Sequence, residues 1–283
     1  MANIEVIRIP APMRAKGRQV GAETPKFVWV GAVLALLFLL LPLVGLLKRV
    51  AWSGIVGSVT SGPASEALRL SLITSVVATM IALVLGLPLA WVLARIEFRG
   101  RSMVRALVML PMVLPPVVGG VALLGAYGKS NGLIGGWLFD VFGLQLTFSP
   151  LGVVVAEAFV ALPFLVMAVE SGLRSIDPRF EESAATMGLG PSERYRKVTL
   201  RLLAPSLIAG VAVAWARALG EFGATITFAG NIEGRTQTTP LAVYLLLESD
   251  PEAAYALSFV LLAICVAVLV AMRGSWMGRR SCV

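Results

Sequence analysis

The sequence predicts an all-α membrane protein with six transmembrane helices, and three observations lead to this prediction. Hydrophobic residues make up 58% of the 283 residues and charged residues only 14%, whereas about 25% are charged in an average soluble domain. The mean hydropathy of +0.86 is too high for a chain with a soluble surface. Six apolar stretches approach the length of about 20 residues that a helix needs to cross a bilayer. A soluble enzyme and a disordered chain are both excluded.

The predicted spans are apolar runs separated by polar segments. The first run is too long for a signal-peptide core and no small-residue cleavage site follows it, so we interpret it as a retained span. Three prolines interrupt the third run, and we expect a kink or break there, either static or as part of a gated path. These prolines are Pro111, Pro115 and Pro116. The six runs are residues 27–47, 70–94, 104–127, 152–169, 205–229 and 254–272.

Basic residues are concentrated in alternate connecting segments, and this distribution predicts the orientation of the chain. Eighteen of the 24 lysines and arginines lie in residues 1–26, 95–105, 174–201 and 273–283. Cytoplasmic segments carry the excess of Lys and Arg, so we expect both termini in the cytoplasm. The net charge of +8 is then an orientation feature beside the lipid bilayer, not a nucleic-acid surface.

The longest predicted cytoplasmic segment, residues 170–204, contains the pattern of a short helix. Asp177 is suited to the N-cap, Pro178 to the first helical position and Gly188 to the C-terminal end. Three residues at helical spacing share one face: Phe180, Ala184 and Met187. This face either packs on the inner ends of the spans or is a docking surface for a partner.

The same segment resembles the cytoplasmic signature of ABC importer permease subunits. That signature is Glu-Ala-Ala, three residues, Gly, nine residues and Ile-x-Leu-Pro, and its counterparts here are Glu182-Ser183-Ala184, Gly188 and Val198-Thr199-Leu200. Ser183, Val198 and Arg201 depart from the signature, which has Ala, Ile and Pro there. The resemblance implies a type I ABC importer permease fold whose short helix docks on a cytoplasmic ABC ATPase. The implied coupling residues are Glu182, Ser183, Ala184, Gly188, Phe180 and Met187.

Two opposite charges lie inside the fifth predicted span. Arg217 and Glu221 are four residues apart on one helix face, and a charge at this depth must face protein or water. The planar guanidinium of Arg suits an oxyanion, while Glu221 would partly neutralise it. The pair is therefore either a structural ion pair or a weak substrate site that releases its anion.

Four segments resemble the oxyanion branch of ABC permeases. Residues 217–223 are similar to both the molybdate/tungstate and the sulfate/thiosulfate types, whereas residues 110–120, 131–138 and 225–244 are similar to the molybdate type. The resemblance extends from about residue 67 to residue 272. It implies a permease in the bacterial inner membrane that imports molybdate or tungstate by alternating access, with sulfate or thiosulfate as the alternative. The implied path or gate residues are Arg217, Glu221, Thr225, Thr227, Pro115 and Pro116.

The resemblance also implies that the chain works with partners. The implied partners are a second copy of this chain, ATPase subunits that bind ATP and magnesium, and an extracytoplasmic oxyanion-binding protein. The acid-leaning outer segment at 230–254 is either a solvated loop or a rim to which that binding protein delivers the anion.

An intramembrane enzyme is disfavoured, because the chain has no His, two Cys and no catalytic or Walker motif. We expect no metal, cofactor or catalytic residue in this chain.

Overall fold

The computed structural model describes residues 26–60 and 62–277, and its regular structure in that part of the chain is helical throughout. Most of the two predicted tails, residues 1–25 and 278–283, lies outside the described residues. A π-helical turn, Tyr195–Thr199, lies between the ninth and the tenth helix. The described helices are α1 Lys26–Arg49, α2 Ile55–Thr60, α3 Gly62–Arg95, α4 Arg101–Val113, α5 Pro116–Tyr127, α6 Gly135–Phe142, α7 Pro150–Ser175, α8 Pro178–Thr186, α9 Pro191–Arg194, α10 Leu200–Leu219, α11 Gly223–Phe228, α12 Thr239–Ser249 and α13 Pro251–Met277.

Five apolar helical stretches within the described residues are long enough to cross a membrane. They are α1, α3, α7, the stretch Pro191–Leu219 and α13. Helices α4 and α5 together make a sixth, although the two are bent by 117° relative to each other. The predicted all-α membrane fold is therefore confirmed. The part of α1 up to Gly45 forms a compact unit separate from the one that contains all the later helices.

The core of the second unit lies where α7 packs against both α3 and α10. Its buried residues are mainly alanines and leucines, including Ala78, Ala82, Ala90, Ala158, Ala161, Leu165, Leu203, Ala214 and Ala218. Lipid tails are as apolar as these side chains, so helices in a bilayer associate through close packing rather than through the hydrophobic effect. Small side chains permit that packing because they let the backbones approach.

Two glycines mark the closest approaches of α7 and α10. A Cβ atom on Gly210 would lie 2.8 Å from the Cβ of Ala168, and one on Gly172 would collide with the side chain of Ser206. Neither contact leaves room for another carbon atom. The start of α10 is therefore held tightly against the end of α7.

Two of the predicted spans are interrupted. The third span breaks between Val113 and Pro116, where the prolines predict a break. The fifth differs from the continuous helix expected over residues 205–229, because α10 ends at Leu219 and α11 begins at Gly223. Prolines remove a backbone donor and are visible in a sequence. The second break contains no proline.

The predicted outer segment at 230–254 packs into the protein over part of its length. It contains α12, and the three residues before that helix, 236–238, are buried together with its first residue, Thr239. The backbone N–H of Thr239 donates to the hydroxyl of Ser71 at 2.6 Å, and the Thr239 hydroxyl donates to the carbonyl of Ala67 at 3.3 Å. These hydrogen bonds hold the segment to α3, so it is only partly a solvated loop.

The close approach of α7 and α10 predicts that Gly210→Ala destabilises the protein. The added methyl group meets Ala168, and overpacking of this kind costs about 1–3 kcal/mol. Gly125→Ala is the matched control, because a Cβ on this helical glycine has no atom within 4 Å. Thermal unfolding of the detergent-purified chain, followed by tryptophan fluorescence, should show a lower midpoint for Gly210→Ala only. Equal midpoints for the two variants would contradict the packing argument.

Candidate functional site

The breaks in the third and fifth spans lie side by side. A Cβ on Gly223 would lie 2.6 Å from the Cβ of Pro116, and one on Gly120 would lie 2.6 Å from the Cβ of Thr227. Helices α5 and α11 therefore cross at contact distance, and only glycine fits at these two positions. The structure thus brings together the predicted residues of the third and fifth spans, which are Pro115, Pro116, Glu221, Thr225 and Thr227.

Glu221 stabilises the break in the fifth span. Its Oε1 accepts a hydrogen bond from the backbone N–H of Ala224 at 2.9 Å, at the start of α11. Its Oε2 lies 2.7 Å from Nη2 of Arg217, near the end of α10. A backbone N–H without a partner costs several kcal/mol in hydrocarbon, so a buried acceptor is needed where the helix is interrupted. Glycines at 220 and 223 flank the break and lower its helix propensity.

The two members of the ion pair differ in exposure. The Glu221 side chain is 1% exposed, whereas that of Arg217 is 31% exposed. A guanidinium group has five N–H donors, and its contact with Glu221 is an ion pair at 2.7 Å in which the carboxylate oxygen accepts no aligned hydrogen bond. Arg217 therefore keeps donors and positive charge available to an anion. The residues next to the breaks that are exposed in the single chain include Pro115, Pro116, Val117 and Gly220.

The other polar groups near the break lie deeper. Thr225 is buried, and its hydroxyl has no hydrogen-bond partner among the described residues. Thr227 is partly exposed and donates to the carbonyl of Gly223 at 2.8 Å. Glu157 of α7 is also buried, accepts a hydrogen bond from the hydroxyl of Thr74 at 3.0 Å, and interacts electrostatically with Glu221. The positive charge of Arg217 thus faces the Glu221 carboxylate, with the Glu157 carboxyl group near Glu221, and this arrangement suits weak anion binding.

Helix α8 forms where the sequence predicts a short cytoplasmic helix. The Asp177 carboxylate accepts a hydrogen bond from the backbone N–H of Arg179 at 2.9 Å, and Gly188 ends the turn with a φ of 86°. A positive φ is accessible to glycine without strain. The exposed residues of this segment include Phe180, Glu182, Ser183, Met187 and Gly188.

Ala184 differs from the sequence interpretation. It is 1% exposed, although the helical spacing assigns it to the same face as Phe180 and Met187. Helix α8 packs against α9 and the π-helical turn, and this packing covers the short methyl group, while the two longer side chains remain accessible. Ala184 therefore belongs to the base of the helix and not to its exposed surface.

The sequence interpretation also missed Glu181. This residue precedes the exposed Glu182, but its carboxylate pairs with Arg95 at the end of α3, with an Nη2 to Oε1 distance of 2.9 Å. The two residues are 86 positions apart, and neither their type nor their spacing signals the contact.

Among the residues that the structure describes, no group of three or more His, Cys, Asp or Glu side chains is placed to hold a metal ion.

One protein family matches most of the chain. Residues 82–277 match the family model described as the inner membrane component of binding-protein-dependent transport systems. The matched range contains both breaks, Arg217 and helix α8 with the exposed surface around it.

Individual relatives match over different lengths. The molybdenum transport system permease protein ModB of Mycobacterium tuberculosis is 42% identical over 250 residues, which cover 88% of this chain and 93% of the relative. The protein of the same description from Escherichia coli K12 is 39% identical over 166 residues, or 59% of this chain and 72% of the relative. The sulfate transport system permease protein CysT of Escherichia coli K12 is 41% identical over 153 residues, or 53% and 55%.

Solved structures share the fold. A chain of a bacterial alginate ABC transporter, in complex with an alginate pentasaccharide-bound periplasmic protein, has a TM-score of 0.71 at 17% identity and covers 90% of this chain and 93% of its own length. A chain of the MetNI methionine ABC transporter in an inward-facing conformation has a TM-score of 0.58 at 18% identity, with coverages of 76% and 96%. At these identities the likeness concerns the fold alone.

The ion pair at the break predicts the effect of Arg217→Ala on stability. The change leaves the Glu221 carboxylate buried without its partner, and we expect a loss of about 3 kcal/mol, the lower end for breaking a buried pair. Arg217→Ala with Glu221→Gln should recover most of that loss, because the amide still accepts the Ala224 N–H bond and carries no charge. Denaturant unfolding in detergent measures both variants, with Arg179→Ala as the exposed-arginine control. If the single variant is as stable as the control, the pair does not hold the break.

Proposed function

The chain belongs to the family of inner membrane components of binding-protein-dependent transport systems, and from this premise we propose that it is the permease subunit of an ATP-driven importer of molybdate. The observation that supports molybdate as the substrate is the likeness to ModB of Mycobacterium tuberculosis, which extends over nearly the whole length of that relative. The likeness to the sulfate permease extends over about half of its length. Tungstate is a tetrahedral dianion of nearly the same size and belongs to the same proposal.

In the proposed mechanism the anion passes the two breaks on its way through the membrane. The fork of the Arg217 guanidinium matches a pair of oxygens on a tetrahedral anion, and its partial exposure supports this role. The carboxyl groups of Glu221 and Glu157 oppose the negative charge of the substrate. A site of this kind binds weakly and releases the anion, as a path requires and a storage site does not.

We propose that two copies of the chain enclose the path. The residues around the break in the third span are apolar and exposed in the single chain, with Val113 at 83% and Val117 at 53%. An apolar face next to a partly exposed arginine is suited to pack against a partner chain, with the arginine at the edge of the contact facing a polar channel. A homodimer would cover the apolar part and leave Arg217 toward the centre.

The proposed complex has an ATPase on one side and a binding protein on the other. The exposed residues Phe180 and Glu182 of α8, with Met187 just past its end, are the docking site for the ATPase, which binds ATP and magnesium. Both termini then lie in the cytoplasm of a bacterial cell, as the basic residues indicate. An extracytoplasmic protein delivers the anion at the opposite side, and this chain itself carries no catalytic residue.

The docking site predicts that Glu182→Lys abolishes uptake while the chain stays folded in the membrane. The side chain is exposed, so its charge reversal disturbs a partner and not the fold. Co-purification with the ATPase should be lost or strongly reduced. Glu97→Lys is the matched control, because Glu97 is also exposed and lies on the same side, just past the end of α3. Normal uptake by Glu182→Lys, or equal loss in both variants, would contradict the docking assignment.

The substrate assignment is tested by uptake into proteoliposomes that contain the chain, its ATPase and its binding protein. Molybdate and tungstate should accumulate with ATP, and sulfate should not. Arg217→Ala with Glu221→Gln should lower uptake about 10-fold or more, as expected when a charge-assisted hydrogen bond of about 1.5–3 kcal/mol is lost. Full uptake by this double variant would contradict the assignment of Arg217 to the path. Preferential uptake of sulfate would contradict the assignment of molybdate as the substrate.

A further inference from the structure

Glu181 joins three structural elements at one carboxylate oxygen. Its Oε1 lies 2.9 Å from Nη2 of Arg95, the last residue of α3. The same oxygen accepts a hydrogen bond from the hydroxyl of Thr199 at 2.9 Å. Thr199 ends the π-helical turn, and α10 begins at the next residue. Arg95, Glu181 and Thr199 are called the Glu181 cluster below.

Aromatic contacts reinforce the same meeting point. The guanidinium carbon of Arg95 lies 6.0 Å from the centroid of the Trp91 ring, within the range of a cation–π contact. Trp91 in turn packs edge to face on Tyr195, with the ring centroids 4.8 Å apart. Tyr195 begins the π-helical turn that Thr199 ends. The inner end of α3 and the start of α10 therefore contact each other directly, and Glu181 connects both to α8.

We propose that Glu181 is a positioning residue that ties α8 to the inner ends of α3 and α10, so that a displacement of α8 moves both spans together. This inference rests on the proposed function, because the displacement comes from an ATPase docked on α8. The residue acts through Arg95 and Thr199, and neither ATP nor the transported anion contacts it.

Exposure and geometry separate this role from docking and from stability. Phe180 and Glu182 of α8 are exposed, as is Met187 just past its end. Glu181, in contrast, is turned toward its own chain. The side chains of Arg95 and Glu181 are 21% and 25% exposed, and a partly exposed ion pair contributes little to folding stability. What the contact provides is a fixed distance between α8 and the two spans.

The first test measures that distance in the full-length chain without any partner. Spin labels on Arg179→Cys in α8 and Glu97→Cys just past α3, in a chain with Cys265→Ser and Cys282→Ser, report the spacing by pulsed electron resonance. Glu181→Gln and Thr199→Val should each broaden the distance distribution. Glu193→Gln is the matched control, because Glu193 forms an ion pair with Lys197 one turn away, at 2.8 Å, in which both side chains are exposed, Lys197 at 61% and Glu193 at 50%. An unchanged distribution in Glu181→Gln overturns the proposal, whatever the chain transports.

The second test uses the complete complex in proteoliposomes. Glu181→Gln, Thr199→Val and Arg95→Gln should co-purify with the ATPase and hydrolyse ATP at the wild-type rate. Anion imported per ATP hydrolysed should fall about 5-fold or more, the lower end of typical coupling between sites. The double variant Arg95→Gln with Glu181→Gln should lose no more than Glu181→Gln alone, because both changes break one linkage. Glu193→Gln should retain the wild-type ratio.

Other outcomes contradict the inference in distinct ways. If Glu181→Gln and Thr199→Val fail to reach the membrane, the cluster is a folding element. If they reach it but lose the ATPase, Glu181 is a docking residue, and if the transport ratio is unchanged, α8 is positioned by other contacts. A wild-type complex that imports no anion would contradict the proposed function, while the spin-label measurement would still decide the role of Glu181.

Discussion

A backbone N–H group in the hydrocarbon region must have a hydrogen-bond partner, and the arrangement around residues 217–224 follows from this constraint. Interrupting the fifth span leaves the first N–H groups of α11 without helical acceptors. The Glu221 carboxylate provides one acceptor for Ala224, and a cation stabilises the charge of such a buried carboxylate in turn. Arg217, one turn earlier on α10, supplies it. A partly exposed guanidinium at the break is thus a consequence of breaking the helix in the membrane.

Close packing then determines where this polar group lies. Gly120 and Gly223 allow α5 and α11 to cross at contact distance, so the break in the fifth span adjoins the break in the third. Gly172 and Gly210 hold α10 against α7 in the same way. Cores of this density have few intermediate arrangements, because a small shift creates either a clash or a void. Such helices therefore move as blocks rather than by gradual deformation.

The sequence alone predicted the features that depend on local chemistry. Apolar length predicted the spans, the prolines at 115 and 116 predicted the break in the third, and Asp177 predicted the start of α8. The break at residues 220–222 was not predicted, since Glu221 satisfies a backbone group there through a contact that hydropathy does not encode. The burial of Ala184 and the pairing of Glu181 with Arg95 depend on how distant segments pack. Periodicity reports only which face a residue occupies, not what covers that face.

Helix α10 connects the two polar groups that matter most for the proposed mechanism. It begins directly after Thr199 of the Glu181 cluster and ends two residues after Arg217. Its 20 residues span about 30 Å at 1.5 Å per residue, close to the thickness of the hydrocarbon core. A continuous helix packed against α7 transmits displacement along its axis with little loss. In the proposed mechanism, movement of α8 that reaches Thr199 is therefore delivered to the Arg217–Glu221 pair, where α10 ends. In this proposal, the tightly packed start and the interrupted end of one helix together allow an event at α8 to change the exposure of Arg217 at the far end of the span.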